Sequence, residues 1–335
     1  MRDSQGNCGA LYPLFLVRPS PDSYLATFRQ LKTFLNFLSR MMTSVTFLPP
    51  ATAMINCFQL YTEADMSRII TAVPSKCCDL DPLPTDILRQ FLPELLPYIP
   101  KMCNASLRNG TLPMSQRCAT VTPRLKKAGA DRADVGMYRP ISNLMFRSKV
   151  VERFVCRQLV AFLQHNNLMP ELQSAYRRGH SSETAILKVV TDFLLAADRG
   201  EVTLLSLLDL SAAFDTVDHD ILIDRLYHSF GIRDEVLSWI RSFVTGRTRR
   251  VRVGDQYSSS SAVYYGVRQS SVLGPILFLL YTADVLAIAA RHGVDLYSYA
   301  DETRLYLNTP TTVKRRSHAY YVASTTSVFG CAQTD

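Results

Sequence analysis

Leu207-Leu208-Asp209-Leu210-Ser211-Ala212-Ala213-Phe214-Asp215-Thr216-Val217-Asp218-His219 is the stretch on which the reading of this chain turns. It opens inside an almost unbroken apolar run, Val202 to Leu208, of the kind expected for a strand buried on both faces. The run stops at a carboxylate, Asp209. Asp218 then stands where it can cap a helix running to Phe230, with Gly231 ending it. A buried strand, an acid at its end and a capped helix follow one another within some thirty residues.

Downstream, Arg233 to Thr245 reads as a second helix. Thr248 to Val253 and Ser259 to Tyr265 flank Gly254-Asp255, a hairpin signal. Ser271 to about Arg291 is apolar enough for a long helix, and Val294 to Tyr299 and Thr303 to Leu307 read as strands joined at Ala300 to Glu302. Upstream, helical spacing marks Thr62–Val73, Thr85–Phe91, Glu94–Leu107, Ser142–His165 and Ser182–Asp198, with a strand at Ala119–Thr122. Residues 1–57 show weak periodicity, and the text after Pro310 turns polar and rich in Ser and Thr. The order of elements suits an α+β fold, a sheet backed by helices.

Two acidic places stand out against this pattern. Asp209 ends one apolar strand, and Asp301 and Glu302 interrupt another, Leu-Tyr-Ser-Tyr-Ala-Asp-Glu-Thr-Arg-Leu-Tyr. Carboxylates at the ends of buried strands are costly unless paired, hydrated or bound to metal. If the strands are neighbours, the acids converge on a site for Mg²⁺, which takes hard oxygen ligands. Taken alone, Asp301 and Glu302 read as ordinary turn acids.

Read together, the stretches resemble the ordered motifs of LINE-type (non-LTR) retrotransposon reverse transcriptases. The opening stretch resembles their first palm motif. Gly266-Val267-Arg268-Gln269-Ser270-Ser271-Val272-Leu273-Gly274-Pro275 resembles the second, and Tyr299-Ala300-Asp301-Glu302-Thr303 the third. Lys126-Lys127 followed by Tyr138-Arg139-Pro140-Ile141-Ser142 resembles the fingers hairpin. Gln173-Ser174-Ala175-Tyr176-Arg177 and His180-Ser181-Ser182-Glu183-Thr184-Ala185 are similar to further landmarks. The likeness runs from about Phe58 to Leu307 in the family's order, and that order is what makes it specific.

The resemblance implies a right-hand polymerase with fingers over 58–200 and a palm with an antiparallel sheet over 201–309. An N-terminal segment, 1–57, and a tail, 310–335, remain unmatched. Asp209, Asp301 and Glu302 would be the catalytic, metal-binding acids for two Mg²⁺ ions (Mn²⁺ as a substitute), with the carbonyl of Leu210 assisting. Lys126 or Lys127, with Arg139, would grip the triphosphate, and Gln269 would lie near the nucleotide. Phe214 falls at the steric-gate position, where a bulky ring leaves no room for a ribose 2′-hydroxyl. Tyr299 would brace the primer end, and Arg247, Arg249 and Arg250 would meet primer and template. The partners implied are an RNA template, a DNA primer and deoxynucleotides.

Three departures accompany the likeness. Arg268 stands where the family has Pro, Ser270 where it has Gly, and Glu302 where it has a second Asp. A Gly at 270 permits positive φ and close approach, which Ser resists. The family's lysine-bearing motif, primer-gripping hairpin and helical thumb are not recognisable after Leu307, so the expectation is a chain without a thumb; no endonuclease domain is recognisable upstream.

Composition narrows the class. A formal charge of +8 and a pI near 9.1 suit an anionic polymer partner. The excess is clustered, with Arg117 to Arg157 forming one basic segment and Arg241 to Arg252 another; charge alone leaves a phosphate groove and a solvated face equally open. The eight cysteines include no CxxC pair, which favours free thiols in a reducing compartment over zinc. Val272 to Ala290 approaches the length of a membrane span, but Gly274, Pro275 and Asp284 interrupt it, so the expectation is a buried helix, no membrane and an intracellular protein, nuclear or cytoplasmic.

Three functions compete on this reading. The first is an RNA-directed DNA polymerase, degenerate in its third motif. The alternative is a catalytically inactive nucleic-acid-binding remnant of the same fold. A viral RNA-copying polymerase is disfavoured by Phe214.

Overall fold

The computed structural model describes residues 11–15, 48–72, 81, 84–177, 179–209, 213–310 and 321–322; at 11–15, 208–209, 309–310 and 321–322 the description is of the backbone alone. In chain order, β1 (Leu11–Phe15) precedes four helices, α1 (Glu63–Ala72), α2 (Thr85–Gln90), α3 (Leu92–Leu95) and α4 (Ile99–Arg108). The strands β2 (Cys118–Leu125) and β3 (Tyr138–Asn143) lead into α5 (Phe146–His165) and α6 (Ser182–Asp198). Then come β4 (Glu201–Asp209), α7 (His219–His228), α8 (Asp234–Val244), and the strands β5 (Arg247–Val253), β6 (Gln256–Tyr257) and β7 (Ser261–Val263). The helices α9 (Gly274–Thr282) and α10 (Asp284–Arg291) and the strands β8 (Asp295–Tyr299), β9 (Glu302–Pro310) and β10 (Tyr321–Val322) complete the α+β order.

Local chemistry explains most of these boundaries. Asp218 caps α7 as its position in the sequence implies, its Oδ1 accepting from the amides of Asp220 (2.9 Å) and Ile221 (3.0 Å). Ser181 and Thr184 form a reciprocal capping box at the start of α6. The helix expected over Glu94–Leu107 is instead two, α3 and α4. Pro97 and Pro100 lie at the break, where a ring nitrogen cannot donate to the preceding turn. The long helix expected from Ser271 is likewise α9 and α10, divided at Ala283, and the one expected from Ser142 starts only at Phe146 because Tyr138–Asn143 is a strand. Gly274–Arg291 is long and apolar enough to cross a membrane, yet Leu277 to Leu280 are buried in the protein.

The chain forms two compact units that do not follow chain order. The first comprises 1–48, 170–213 and 281–335, and the second 49–169 and 214–280. Among the described residues the first unit holds an antiparallel sheet in the order β10-β1-β4-β9-β8. β1 is a strand within 1–57, the segment of weak periodicity. On one face, Leu205, Tyr297 and Tyr306 pack against Ala185 and Val189 of α6, with Phe193 and Tyr299 at the margin. The alternate positions Leu204, Leu296, Leu305 and Leu307 are also buried. Each such side chain contributes about 1.5–3 kcal/mol by leaving water. Burial on both faces is why Val202–Leu208 reads as a continuous apolar run.

The second unit carries the order β3-β2-β5-β6, with β7 also paired to β5; β2 and β5 run parallel and the other pairs antiparallel. Its helices close over Trp239, whose indole N–H donates to Ser106 Oγ at 3.0 Å and whose ring meets Phe58 edge-on at 6.1 Å.

Candidate functional site

The acids gather at one end of the first unit's sheet. Asp209, the last residue of β4, is paired in register with Glu302, the first residue of β9, and Tyr299 of β8 is paired with Glu302 from the other side. Residues so opposed have β-carbons about 4.5–5.5 Å apart. Asp301 occupies the turn immediately before Glu302. Strand alternation puts Glu302, Arg304 and Tyr306 on the face that α6 covers, but the cover stops short of this end: Leu207 is 39% exposed and the Glu302 side chain 67% exposed. Arg304 reaches back toward Glu302, with Nη2 3.7 Å from Oε2.

The turn itself is held from outside. Gln173, almost wholly buried, runs beside β8, where Ser174 N donates to Ser298 O (3.0 Å) and Ser298 N to Leu172 O (2.9 Å). Its side-chain amide hydrogen-bonds both the N–H and the C=O of Ala300. Nearby Tyr176 has its hydroxyl pKa raised, first by burial and then by the charges of Asp301 and Tyr299. Tyr299 lies half-buried against the α6 cluster.

These oxygens suit a hard divalent cation in kind, and Mg²⁺ bound there would supply charge for phosphoryl transfer. In detail the fit is poorer. Glu302 sets its carboxylate one methylene further out than Asp would and shares it with Arg304. Among the described residues no group of three or more His, Cys, Asp or Glu could hold a metal ion, the Asp209 side chain and all of Leu210 lying outside them.

The second unit holds the loops expected to meet a nucleotide. The backbone on either side of Asp215 is sewn to the start of the second motif: Gly266 N donates to Val217 O and Val267 N to Phe214 O, each at 2.7 Å. A β-carbon on Gly266, at φ 82, would fall 2.7 Å from Asp215 Cα, so this close approach requires glycine. Phe214 stacks on Phe278 with centroids 4.8 Å apart, and Gln269 Nε2 donates to Asp215 Oδ2 at 3.2 Å. Ser270 does adopt a positive φ, 65°, the conformation a glycine there would supply without strain. Ser271 Oγ donates to Arg268 O (2.7 Å) and accepts from Gly274 N (2.9 Å), starting α9.

Two buried ionic groups brace this loop. Glu152, fully buried on α5, accepts from Val272 N at 2.7 Å and from Ser148 Oγ at 3.1 Å. Burial raises its pKa, opposed by the Arg268 charge. Arg268 is itself buried over the Phe243 ring, donating through Nη1 to Gln116 O at 2.8 Å while Nε and Nη2 find no partner. The charge that replaces proline in the second motif is therefore internal, within electrostatic reach of the internal Glu152 carboxylate.

The arginines sort by strand face. Register places Arg124 opposite Arg139, and Thr120 beside Arg250. Alternation then puts Arg124, Arg139, Arg250 and Arg252 on one face of the second sheet, with Tyr257 under Arg250 (4.3 Å) and Arg252 (5.6 Å). Lys126 and Lys127 are exposed in the β2–β3 connection, beside this face. Arg249 is exposed on the opposite face. Arg247 requires a correction: it is buried, and its guanidinium donates to Val244 O (2.7 Å), Tyr265 O (3.0 Å) and Gly266 O (2.6 Å) rather than facing a nucleic-acid backbone. His219 Nε2 meets the same Gly266 carbonyl at 2.8 Å.

A family model described as "Reverse transcriptase (RNA-dependent DNA polymerase)" matches residues 125–327, a span containing all three acids, the second-motif loop and the β2–β3 connection. The chain belongs to the reverse transcriptase family. Its relatives place it among the non-LTR retrotransposon type. It is 32% identical over 213 residues to "Probable RNA-directed DNA polymerase from transposon BS" of Drosophila melanogaster, 62% of this chain and 23% of that protein. It is 27% identical over 290 residues to "RNA-directed DNA polymerase from mobile element jockey" of Drosophila funebris, 81% of this chain and 31% of the relative. "Transposon TX1 uncharacterized 149 kDa protein" of Xenopus laevis matches at 26% over 247 residues, 73% of this chain and 18% of that one. The chain thus spans less than a third of each of these relatives, and by descent it is a reverse transcriptase domain. Sequence reasoning passed over Gln173 and Glu152 as contributors to the two loops. The signal for Gln173 was its membership of a family landmark; for Glu152, an acid at a core-facing position of an apolar helical pattern.

Proposed function

We propose that this chain is a nucleic-acid-binding member of the reverse transcriptase family in which nucleotidyl transfer is curtailed. The observation that carries the reading is the sheet face formed by Arg124, Arg139, Arg250 and Arg252, set against a third motif whose Glu302 leans on Arg304. Arginines on one sheet face, Arg124 and Arg139 exposed and Arg250 and Arg252 half-buried over Tyr257, can follow a phosphate backbone and release its counterions without reading bases. The ligand would be a primer–template duplex, RNA template with DNA primer, met inside the cell in the nucleus or cytoplasm. In family terms Arg124 and Arg139 of this face fall in the fingers range, 58–200, while Arg250, Arg252 and the acid-bearing sheet fall in the palm range, 201–309.

The second reading is an active RNA-directed DNA polymerase using two Mg²⁺ ions, and the direct pairing of Asp209 with Glu302 favours it. Asp209, Asp301 and Glu302 would hold the ions. Lys126, Lys127 and Arg139 would meet the triphosphate of a deoxynucleotide, Gln269 its base or sugar, and Phe214 its sugar edge. One assay separates the two. Primer–template binding that persists in EDTA, with no Mg²⁺- or Mn²⁺-dependent extension at saturating deoxynucleotide, supports the binding reading. Metal-dependent extension at a rate independent of protein preparation would overturn it.

A further inference from the structure

The turn between β8 and β9 holds Asp301 in a conformation that its own residues do not favour. Ala300 lies at φ 57, in the left-handed region that a β-carbon disfavours. Asp301 follows it directly, so any relaxation of Ala300 swings the carboxylate. The restraint comes from more than a hundred residues upstream. Gln173 Oε1 accepts from Ala300 N at 3.1 Å and from Ala175 N at 3.0 Å, while Nε2 donates to Ala300 O at 3.2 Å. A side-chain amide carries a donor and an acceptor in one rigid plane, so it can grip both main-chain groups of a single residue. Gln173 has little freedom to let go: it is 4% exposed, its backbone is bridged to Ser298, and the neighbouring Ser174 hydroxyl meets the Tyr297 hydroxyl at 2.6 Å.

We propose that Gln173 is a positioning residue for the third motif, clamping Ala300 so that Asp301 is fixed at the open end of the sheet. The inference rests on reading Asp301 as a metal-binding carboxylate. Gln173 would touch neither metal nor nucleotide; it acts through the peptide of Ala300.

The test uses the full chain with primer–template, comparing Gln173→Leu with the double variant Gln173→Leu/Ala300→Gly. Glycine adopts positive φ freely, so it should make the clamp dispensable. The readouts are amide exchange at Ala300 and Asp301, Mn²⁺ affinity followed by the EPR signal of free Mn²⁺, and primer–template affinity. Gln173→Leu should speed exchange at both amides and weaken Mn²⁺ binding about tenfold, in keeping with the cost of a small displacement in a positioned site. Primer–template affinity should stay level, and adding Ala300→Gly should restore Mn²⁺ affinity. Gln173→Asn, which keeps the amide on a shorter arm, replaces Gln173→Leu in the same comparison if the latter does not fold. Unchanged exchange at Ala300, or Mn²⁺ affinity that glycine does not restore, would overturn the clamp. If the parent binds no Mn²⁺ while exchange rises and Ala300→Gly abolishes its dependence on Gln173, the clamp stands and the metal-binding reading of Asp301 falls.

Discussion

Asp209 and Glu302 face each other across adjacent antiparallel strands, the last residue of β4 against the first of β9. The pairing brings acids from two distant motifs to one sheet end, and it makes the length of residue 302 matter. Mg²⁺ tolerates distorted octahedral geometry badly. Glu302→Asp should therefore raise single-turnover, Mg²⁺-dependent primer extension about tenfold or more over the parent, the scale of rate change that small displacements cause in positioned sites. The measurement is made at saturating primer–template, so that grip on the duplex does not enter. Equal rates for parent and variant would remove Glu302 as the defect.

Ser270 should be a source of strain that can be relieved without touching a contact. At φ 65 and exposed, it occupies glycine's conformation with a β-carbon. Glycine removes the native-state strain but gains freedom in the unfolded chain, so the two effects partly offset. Ser270→Gly should stabilise the protein by about 0.5–1 kcal/mol in urea unfolding. Ser270→Ala, which keeps the β-carbon, should show no gain. A gain of equal size for alanine would mean that the hydroxyl, not φ, is at fault.

Acid should weaken the protein through His219. Burial lowers the pKa of its ring below the ordinary 6.5; the Arg247 charge acts in the same direction, while the Gly266 carbonyl, Asp218 and Asp220 oppose it. The folded state therefore binds this proton less readily than the unfolded chain does. Stability is lost as pH falls below about 6.5 and the unfolded state takes up the proton first. The parent's urea midpoint should drop between about pH 7 and 5.5, and His219→Gln should flatten that part of the profile. An identical acid slope in the variant would assign it to other groups.

Arg247 and its neighbours should separate into fold and function. Arg247→Ala removes the donor to the carbonyls of Val244 and Tyr265 and one of the two partners of the Gly266 carbonyl, and should cost more than about 2 kcal/mol of stability. Arg250→Ala and Arg139→Ala should leave unfolding within about 0.5 kcal/mol and instead weaken duplex binding. Each lost phosphate contact should reduce the slope of log affinity against log salt by about 0.7–0.9. Fluorescence anisotropy across a salt series provides both numbers. Arg249→Ala, on the other face, is the internal control and should leave the slope unchanged.

What was written locally in the sequence was legible there. The apolar run ending at Asp209, the Asp218 cap and the turn at Gly254-Asp255 depend on residues within a few positions of one another, and the structure has all three, although the strand returning from that turn is Gln256–Tyr257, earlier than the Ser259–Tyr265 expected. The family likeness supplied the positive-φ requirement at residue 270, which Ser270 meets under strain. Where a proline or a short strand interrupted an apolar pattern, as at Pro97 or Tyr138–Asn143, periodicity alone overran the element.

Tertiary structure alone decided the rest, because it turned on partners far away in the chain. Asp209 meets Glu302 only through strand register, and β1 becomes a strand only because β4 offers an edge. Arg247 and Arg268 carry charges that composition assigns to a surface, yet both are buried where main-chain carbonyls accept from them and, for Arg268, the Glu152 charge lies within electrostatic reach. Gln173 is an unremarkable amide until the fold lays it beside Ala300. A charge or amide has no fixed location of its own; whether it faces water or the interior depends on whether distant main-chain groups can satisfy it, and that is settled only when the chain has folded.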